Sequence, residues 1–490
     1  MATFRRAAPT RPALGVVRDF VHNYIPFTVP ADSSEVTEKL VIDSEWVQRL
    51  RKIFQLQSCW LVYPCAVHSR FTHALGTMHL AGRMAARLYD DFKSAFPNEP
   101  IPEKNHVEEI FRLAGLLHDV GHGPFSHLLD DVYTHKYYDK THEDISGRII
   151  EHRLGDLISK IRSSPSGPFE TPIDPKTISK FIKQPRKMSG LSVWEKVFCK
   201  IMIGVVSADS MDFLLRDRAF TGAREIGEID CTRILSELRI TRQGLTLTKA
   251  GLPAFRSFLQ VRFGAFRHIY FHEKKVLFDM AFGELLEKVL RIRRFGDPSK
   301  HLKRFLNLTD FSLHVDIPQW EYGANRARRQ VGKQWSGILS ERVVPYVKVY
   351  EVERVYKSSS EVSSTIDRGI LEKDLELRFP RESNVKPVVS RVDIRPAHAF
   401  LEYSSADDFK QYDNLKSLAL LDEASGEFCG EFGNAALDDV PMRYEVVRVY
   451  APSGMRLGAP SKPVTPPQLD LPLDGGYPDE SATRSNITSM

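Results

Sequence analysis

The chain has few cysteines and no long apolar segment. Its five cysteines are scattered through 490 residues without a CxxC pair, which fits neither a disulfide framework nor a thiolate zinc site. No run of about eighteen apolar residues occurs, so we expect no transmembrane helix. The first residues lack the apolar core of a secretory signal peptide. We therefore expect a protein of a reducing compartment, cytoplasmic and without a membrane partner.

A strong excess of one charge is also missing. Lys and Arg number 68, Asp and Glu number 63, and the formal net charge is +5, which permits a local anion-binding groove without demanding nucleic acid. The most basic stretch covers residues 325–330 and is followed by Lys333. It is compatible with an anionic partner, although a solvated surface is the favoured interpretation. Nucleic acid therefore stays open as a partner but is not expected.

Hydrophobic periodicity predicts a mainly α-helical chain with a smaller α+β part. Apolar residues recur at helical spacing through most of residues 46–294, with a β-hairpin expected around 242–244. Strand-like runs then appear at 343–350 and 444–450 between polar loops. We predict four regions: a disordered tail over 1–15, a helical core over 16–300, an α+β C-terminal lobe over 301–452 and a disordered tail over 453–490.

The strongest chemical signal lies where an apolar helical run ends in the pair His118–Asp119. The chain then breaks at two glycines and a proline and resumes with His127. Adjacent residues do not share a helix face. At a helix end beside Gly121, however, His118 and Asp119 can both turn toward one bound ion. A helix that serves only for packing does not require so many groups that can bind a metal or transfer a proton.

Two further residues complete a candidate metal set with His118 and Asp119. His73 precedes that pair, and Asp209 follows it by about ninety residues. Two imidazoles and two carboxylates form a mixed nitrogen and oxygen set suited to Mn, Fe, Mg, Co, Ni or Zn. Each belongs to an apolar helical stretch, where an unpaired charge is costly. Taken singly, each is more often a core histidine or a salt-bridge carboxylate, so the interpretation depends on the set.

A second group of polar residues surrounds the same motif. His127 and Asp130 are three apart on a predicted helix, so the carboxylate can reach the imidazole and raise its basicity. A histidine held in this way can be a general acid for a leaving oxygen. His122 lies between two glycines, where backbone can approach a phosphate closely. Possible donors to phosphate oxygens are Arg70, Arg262 and Tyr270, with a solvated helix face as the alternative for the arginines.

Motifs of a known enzyme family occur in order through roughly residues 16–313, and more faintly to Tyr450. They are Gln48-Arg-Leu-Arg51, Phe54-Gln-Leu56, His68-Ser-Arg-Phe-Thr-His73, His118-Asp-Val-Gly-His-Gly-Pro-Phe-Ser-His127, His142-Glu143, Asp209-Ser-Met-Asp-Phe213 and Arg216-Asp217. In these the chain resembles the HD-domain metal-dependent phosphohydrolases. Within them it is similar to the deoxynucleoside triphosphate triphosphohydrolases related to the sterile-alpha-motif/HD-containing enzyme.

The resemblance implies a divalent metal ion held by four side chains, His73, His118, Asp119 and Asp209. It implies that His127 donates a proton to the departing nucleoside 5′-oxygen and that Asp130 orients this histidine. It also implies that His122 and His142 contact phosphate. The metal ligands, the proton donor and the phosphate contacts are thus expected in one site.

The resemblance further implies how a nucleotide is bound. Arg70 and Arg262 are similar to the family's triphosphate clamps. Gln55 and Leu56 match a pair that faces the deoxyribose and disfavours a 2′-hydroxyl, while Tyr270 matches a sugar-packing tyrosine. Enzymes of the family release a nucleoside and intact tripolyphosphate. We therefore expect a dNTP substrate, and we expect a homo-oligomer, either a dimer or a tetramer.

Three positions depart from the family pattern. Ser210 and Glu273 stand where lysines are expected, and Phe213 stands where a tyrosine is expected. Charged hydrogen bonds to phosphate are worth about 1.5–3 kcal/mol each, so these changes are enough to shift the substrate. One alternative is an HD phosphohydrolase for another nucleotide or for a nucleoside mono- or diphosphate. The other is a regulatory protein that senses a nucleotide or nucleic acid with little turnover.

Overall fold

The computed structural model of the chain describes residues 12–183, 190–358, 386–394 and 418–453. All of these residues fall in one compact unit. Most of the two predicted tails lies outside the described residues, but Leu14 and Gly15, which were assigned to the first tail, begin a strand that pairs with Thr28 and Phe27. The predicted boundary near residue 300 stays a prediction.

Most of the described chain is helical, which confirms the mainly α class with a smaller α+β part. The α-helices are α1 Glu38–Ile42, α2 Glu45–Gln48, α3 Arg70–Ala95, α4 Lys104–Leu117, α5 His127–Leu129, α6 His135–Tyr138, α7 His142–Ile149, α8 Gly155–Ile158, α9 Pro175–Ile182, α10 Val193–Phe198, α11 Lys200–Ile203, α12 Ala208–Thr221, α13 Cys231–Glu237, α14 Leu252–Ala265, α15 Glu273–Ile292, α16 Leu302–Leu306, α17 Asp310–Gln319, α18 Arg326–Ser336 and α19 Gly430–Ala435. Among the residues that the structure describes, none of the helices combines the length and apolar character needed to cross a bilayer.

Shorter helical turns of two other kinds join these helices. The 3-10 turns are Arg49–Lys52, Cys59–Leu61, Arg224–Ile226, Lys249–Gly251 and Trp320–Tyr322. The π-helical turns are Asp130–Thr134, Ile150–Leu154, Phe266–Tyr270 and Gly337–Glu341. Two of the π turns, at 130 and 266, lie in stretches that the sequence marks as chemically important, which is where such turns are often found.

The strands form small sheets. They are β1 Leu14–Asp19, β2 Asn23–Thr28, β3 Ser163–Ser164, β4 Gly167–Pro168, β5 Leu238–Thr241, β6 Gly244–Thr248, β7 Tyr346–Tyr356, β8 Lys386–Asp393, β9 Ala419–Asp422, β10 Glu427–Phe428 and β11 Arg443–Pro452. The described strands pair as β1-β2, β3-β4, β10-β9-β6-β5 and β7-β11-β8. The antiparallel hairpin β5–β6 forms around the predicted turn.

Strands from the end of the described chain join the helical part. β9 pairs in parallel with β6, with Leu420 opposite Leu247. Leu420, Tyr444 and Val446 are buried in the same hydrophobic cluster as the core of the helical region. One continuous core therefore supports both parts of the described chain.

The helix pair α3 and α4 positions the candidate site. A Cβ atom on Gly115 would lie 2.7 Å from the carbonyl oxygen of Thr77, so the absence of a side chain lets α4 lie close against α3. This approach brings the first turn of α3, with His73, next to His118 at the end of α4. Helix α12 also packs against α3 and adds Asp209 from its own first turn.

Candidate active site

Three of the four predicted metal ligands converge on one point. The ligand atoms of His73, His118 and Asp209 all lie within 4.8 Å of one another. The Nε2 atoms of His73 and His118 are 3.2 Å apart. The Asp209 Oδ1 atom lies 3.1 Å from His73 Nε2 and 3.5 Å from His118 Nε2. The structure thus brings together three residues that are far apart in sequence.

Asp119 borders this point and also contacts a predicted substrate residue. Its Oδ1 atom is 3.3 Å from His118 Nε2, and its Oδ2 atom is 3.7 Å from His73 Nε2. Arg70 donates to Asp119 Oδ2 through Nη1. The carboxylate therefore faces the two histidines and a buried guanidinium at once.

The donor set fits a divalent metal ion. His73 Nδ1 lies 2.7 Å from Asp212 Oδ2, and His118 Nδ1 lies 2.8 Å from the Gly115 carbonyl oxygen. Because an acceptor at Nδ1 keeps the ring proton there, Nε2 is left as a lone-pair donor in both histidines. Two such lone pairs facing each other beside carboxylates need a shared cation. The chemistry of the residues present therefore supports a metal site, without identifying the metal.

A buried ion network supports His73 from its far side. Asp212 is 0% exposed, and its Oδ1 atom lies 2.7 Å from His22 Nε2 in the turn between β1 and β2. Arg216 donates to Asp212 and to Asp19, with Nη2–Oδ1 and Nη1–Oδ2 distances of 2.9 and 2.8 Å. A Cβ atom on Gly76 would clash with Asp212, so glycine makes room for this carboxylate beside α3. Asp19 and His22 of the N-terminal hairpin therefore belong to the network that holds Asp212, which in turn contacts His73.

The local charges shift the pKa values of the candidate ligands. Burial alone would lower the pKa of His73, but hydrogen bonds to Asp209 and Asp212 raise it to about 10. Burial alone would raise the pKa of Asp119 and Asp209, yet neighbouring cationic groups hold both well below the ordinary aspartate range. Without a metal, the site therefore holds a proton on His73 between two ionised carboxylates. A bound cation would replace that proton.

A second cluster adjoins the metal set. Ligand-type atoms of His122, His127, Asp130 and His142 lie within 4.8 Å of one another. The His122 and His142 rings stack with centroids 3.7 Å apart, and His127 meets both rings edge-on at 4.8 and 5.1 Å. His122 is 1% exposed, and neither of its ring nitrogens has a hydrogen-bond partner. Its Nε2 atom lies 3.4 Å from Asp119 Oδ1, and His122 does not line the main cavity, so the expected phosphate contact of His122 stays a prediction.

The expected orientation of His127 by Asp130 is wrong in one respect. Asp130 Oδ2 lies 2.6 Å from His142 Nδ1, and Asp130 Oδ1 accepts from Thr134 at 2.9 Å. The three-residue helical spacing would direct the carboxylate to His127, but Asp130 opens a π-helical turn that places Thr134 on one oxygen. The other oxygen, Oδ2, then contacts His142, which lies twelve residues later in the chain.

This arrangement separates the charge states of the histidines. Burial and the nearby charges of His142 and Arg70 lower the pKa of His127 to about 3. The same causes lower the pKa of His122 well below its ordinary value. Burial would also lower the pKa of His142, but the Asp130 carboxylate raises it overall. The Asp130 carboxylate therefore favours the charged form of His142, whereas burial favours the neutral form of His127.

A cavity of about 410 Å³ connects the metal set with most of the predicted substrate residues. Its lining includes Gln55, Leu56, Arg70, Tyr270, His73, His118, Asp119, Asp209, His127 and His142. Arg262 instead lines a neighbouring cavity of about 360 Å³, which also touches His127 and Asp209. There its Nε has no hydrogen-bond partner. Arg262, the predicted triphosphate clamp, therefore lines the neighbouring cavity and not the main one.

The three departures from the family pattern have different surroundings. Phe213 lines the main cavity, and Ser210 lines the neighbouring one. Glu273 is paired with Lys348 at 2.6 Å. Sequence reasoning overlooked Lys275, which lines the main cavity and donates to Gln57 Oε1 at 2.7 Å. Lys275 also forms an ion pair with Asp279 at 2.7 Å, so its charge is already balanced and it does not simply replace the two missing lysines.

Sequence reasoning also overlooked the residues that hold the site from behind. Asp212 lies three residues after Asp209 on α12, and this helical spacing was a usable signal. Arg49 and Asp310 contact the loop that carries His122 and His127. No local pattern marks these two residues, because their partners are distant in sequence.

Comparison with known proteins agrees with this geometry. Residues 70–189 match the family profile of the HD domain. That stretch of the chain is similar to an HD domain. It contributes His73, His118 and Asp119 to the candidate site, whereas Asp209 lies beyond the matched range. The resemblance to HD-domain phosphohydrolases inferred from the motifs is thereby confirmed.

Individual relatives match the HD region and its surroundings. An uncharacterized protein of Methanocaldococcus jannaschii is 30% identical over 61% of this chain and 54% of its own length. A protein of Dictyostelium discoideum named deoxynucleoside triphosphate triphosphohydrolase SAMHD1 homolog is 23% identical over 75% of this chain and 67% of its own length. The chain spans about half the length of the first curated relatives it matches.

Solved structures share the fold. The crystal structure of a hypothetical protein from Aquifex aeolicus has a TM-score of 0.63 and 22% sequence identity. The match covers 90% of this chain and 97% of that one. At this level of identity the likeness concerns architecture alone.

Proposed function

We propose that the protein is a metal-dependent phosphohydrolase of nucleotides that splits a dNTP into a deoxynucleoside and tripolyphosphate. The observation that carries the proposal is the convergence of the candidate metal ligands with His127 and His142 on one cavity. The similarity to a Dictyostelium protein named as a dNTP triphosphohydrolase supports the choice of substrate. The HD domain supports the hydrolase class.

The candidate ligands His73, His118, Asp119 and Asp209 would hold the ion. Bound there, a divalent ion would act as a Lewis acid toward a phosphoryl oxygen and lower the pKa of water. Arg70 is already tied to Asp119. Its remaining guanidinium N–H groups can donate to phosphate oxygens in the same cavity.

His127 supplies the proton in this proposal. Burial holds its pKa low, but negative phosphates beside it favour its charged form and raise its pKa. A protonated ring nitrogen of His127 can then pass its proton to the departing 5′-oxygen. His142, whose charged form is favoured by Asp130, offers a donor to the phosphates.

The sugar end of the pocket is closed by neutral groups. Gln55 and Leu56 line the cavity, and the Gln55 Oε1 atom is buried without a hydrogen-bond partner. Tyr270 is fixed by donating to Asp217 Oδ2 at 2.7 Å. A packed wall of this kind favours a deoxyribose only through the space that it leaves, because the free Gln55 Oε1 atom is able to accept from a sugar hydroxyl.

We also propose a homo-oligomer, a dimer or a tetramer. The hairpin β1–β2 exposes large apolar side chains, with Val16 57% and Phe20 77% exposed. Such exposed apolar groups are typical of surfaces that another protein covers. Light scattering after size-exclusion chromatography measures the mass directly, and a monomer with and without nucleotide would exclude this part of the proposal.

A second candidate is a phosphohydrolase of mono- or diphosphates. Ser210 and Phe213 remove a cation and a phenolic donor from the two cavities, which reduces the donors available to a long phosphate chain. Lys275 lines the main cavity but is already paired with Asp279 at 2.7 Å, so it offsets this loss only in part. A purely sensing protein is disfavoured because a complete candidate ligand set surrounds one point.

Chromatographic product analysis tests the proposal. The metal-free protein is loaded with Mn, Mg, Fe or Co and given a panel of ribo- and deoxynucleotides, with and without GTP. We expect deoxynucleoside and tripolyphosphate from dNTPs. Orthophosphate from mono- or diphosphates would favour the second candidate, and no turnover with any loaded metal would exclude both.

A further inference from the structure

Two residues just before His127 have an unusual backbone. Phe125 has φ 57° and Ser126 has φ 53°, both in the left-handed region that side chains with a Cβ rarely adopt. A residue in this conformation is strained and persists only where surrounding contacts enforce it. The next residue is His127, so the contacts that enforce this turn also determine where its imidazole lies.

Asp310 supplies one of these contacts from a distant part of the chain. It is the first residue of α17 and is 0% exposed. Its Oδ1 atom accepts the backbone N–H of Phe125 at 2.9 Å, and its Oδ2 atom accepts the backbone N–H of Phe54 at 3.1 Å. One buried carboxylate therefore joins the strained turn to the segment that leads into Gln55.

Ser126 closes the same connection from the other side. Its hydroxyl donates to the Phe54 carbonyl oxygen at 2.9 Å and accepts from Arg70 Nε at 2.8 Å. Arg70 in turn contacts Asp119. The turn, the pocket wall at Phe54 and the guanidinium of Arg70 are thus linked through one pair of residues, Ser126 and Asp310.

Arg49 adds a second connection between the loop that carries His122 and the segment of residues 305–310. Its guanidinium donates to the carbonyl oxygens of His122, Leu308 and Phe305 at 2.7, 3.0 and 3.2 Å. Arg49 is 3% exposed. Arg49 and Asp310 therefore contact the loop of residues 118–127 at two places: Arg49 at the His122 carbonyl oxygen and Asp310 at the Phe125 amide.

We propose that Asp310 is a positioning residue that enforces the Phe125–Ser126 turn and so presents His127 to the cavity. Asp310 itself does not line that cavity; it acts through backbone amides. The catalytic part of this inference rests on the proposed function, whereas the structural part does not. It assigns a role in the site to a helix that lies far beyond the matched HD region.

The test compares Asp310→Asn and Asp310→Ala with Asp316→Asn. An asparagine keeps one acceptor oxygen and presents its NH2 group to the other backbone N–H, while alanine removes both acceptors. Asp316 is the matched control, because it is a carboxylate on the same helix whose side chain is 53% exposed and paired with Arg293.

We expect kcat to fall about tenfold to a hundredfold in Asp310→Asn, since displacement of a reacting group by about 1 Å costs on the order of a hundredfold. Asp310→Ala should lose at least as much. Bound metal should stay near the wild-type value, because His73, His118 and Asp209 do not contact Asp310. KM should change as well as kcat, since the linked residues Gln55 and Arg70 line the cavity. Asp316→Asn should match the wild type. An unchanged kcat per metal-loaded molecule in Asp310→Asn would overturn the proposal.

Hydrogen exchange separates this inference from the proposed function. The amides of Phe125 and Phe54 should exchange faster in Asp310→Asn than in the wild type, and the His127 ring signal should shift in the NMR spectrum. If the wild type hydrolyses no nucleotide, the proposed function fails, and these two signals alone decide the positioning role. Wild-type exchange and an unmoved His127 signal would overturn it.

Discussion

Replacing Asp212 by Asn should weaken metal binding without removing any metal ligand. Asp212 Oδ2 faces His73 Nδ1 at 2.7 Å, and Oδ1 faces His22 Nε2 at 2.7 Å. The asparagine amide has one acceptor oxygen and one nitrogen that only donates. At least one histidine or Arg216 must therefore lose an acceptor. A His73 ring without its acceptor is free to rotate or to move its proton to Nε2.

The expected magnitude follows from the role of such outer partners. Their removal typically costs about 10–100-fold in metal affinity, which is about 1.4–2.8 kcal/mol of binding free energy. The metal-free protein should also lose stability, because Arg216 is buried and keeps only Asp19 as a fully charged partner. Removing one partner of a buried charge pair costs about 3–5 kcal/mol. The remaining Asp19 contact should reduce the loss to about 1–3 kcal/mol.

Metal titration of the chelated protein by calorimetry, with thermal unfolding of the metal-free form, measures both effects. Asp19→Asn is the matched control, since Asp19 contacts Arg216 but not His73. It should lose stability while keeping nearly wild-type metal affinity. Equal metal affinity for Asp212→Asn and the wild type would refute the reasoning, because His73 would then need no acceptor.

Three further changes test the site. Asp119→Ala should remove bound metal and turnover while the chain stays folded, and metal analysis beside circular dichroism checks this; turnover by the metal-free variant would contradict a metal-dependent reaction. His127→Ala should keep its metal but lose kcat by about 10²–10⁴-fold, so wild-type kcat would exclude it as proton donor. The pKa of His142 is raised overall by Asp130 against the effect of burial, so its stabilising contribution is complete below the unfolded histidine pKa of about 6.5 and is lost as pH rises through the folded value. His142→Gln should therefore destabilise the metal-free protein more at acidic than at alkaline pH in urea unfolding, and equal losses would show that the pair contributes no charge interaction.

Much of the site was readable from residue types in apolar helices. His73, His118 and Asp209 are polar groups where the helical pattern predicts burial, and burying such groups demands a common partner. The hairpin β5–β6 was readable from alternation around a glycine turn. These inferences needed only local spacing together with the cost of buried charge.

The contacts that the sequence could not supply are those between distant segments. The spacing of His127 and Asp130 predicted a contact that a π-helical turn replaces with His142. Nothing near Asp310 indicates that its carboxylate accepts the Phe125 amide, because the two residues are separated by many helices. Contacts of this kind between distant segments determine where the site side chains lie. They leave no local pattern in a single sequence.

The span of the metal set has a consequence for synthesis of the chain. Asp209 is about ninety residues from Asp119, and at about 5–20 residues per second the ribosome adds it several seconds later. During that interval the nascent chain holds two histidines and one aspartate without the fourth ligand. Asp310 follows about a hundred residues after Asp209, so the brace behind His127 is made later still. The candidate metal ligands and the Asp310 contact to the Phe125 turn are therefore completed at different times during synthesis, and the Asp310 contact comes last.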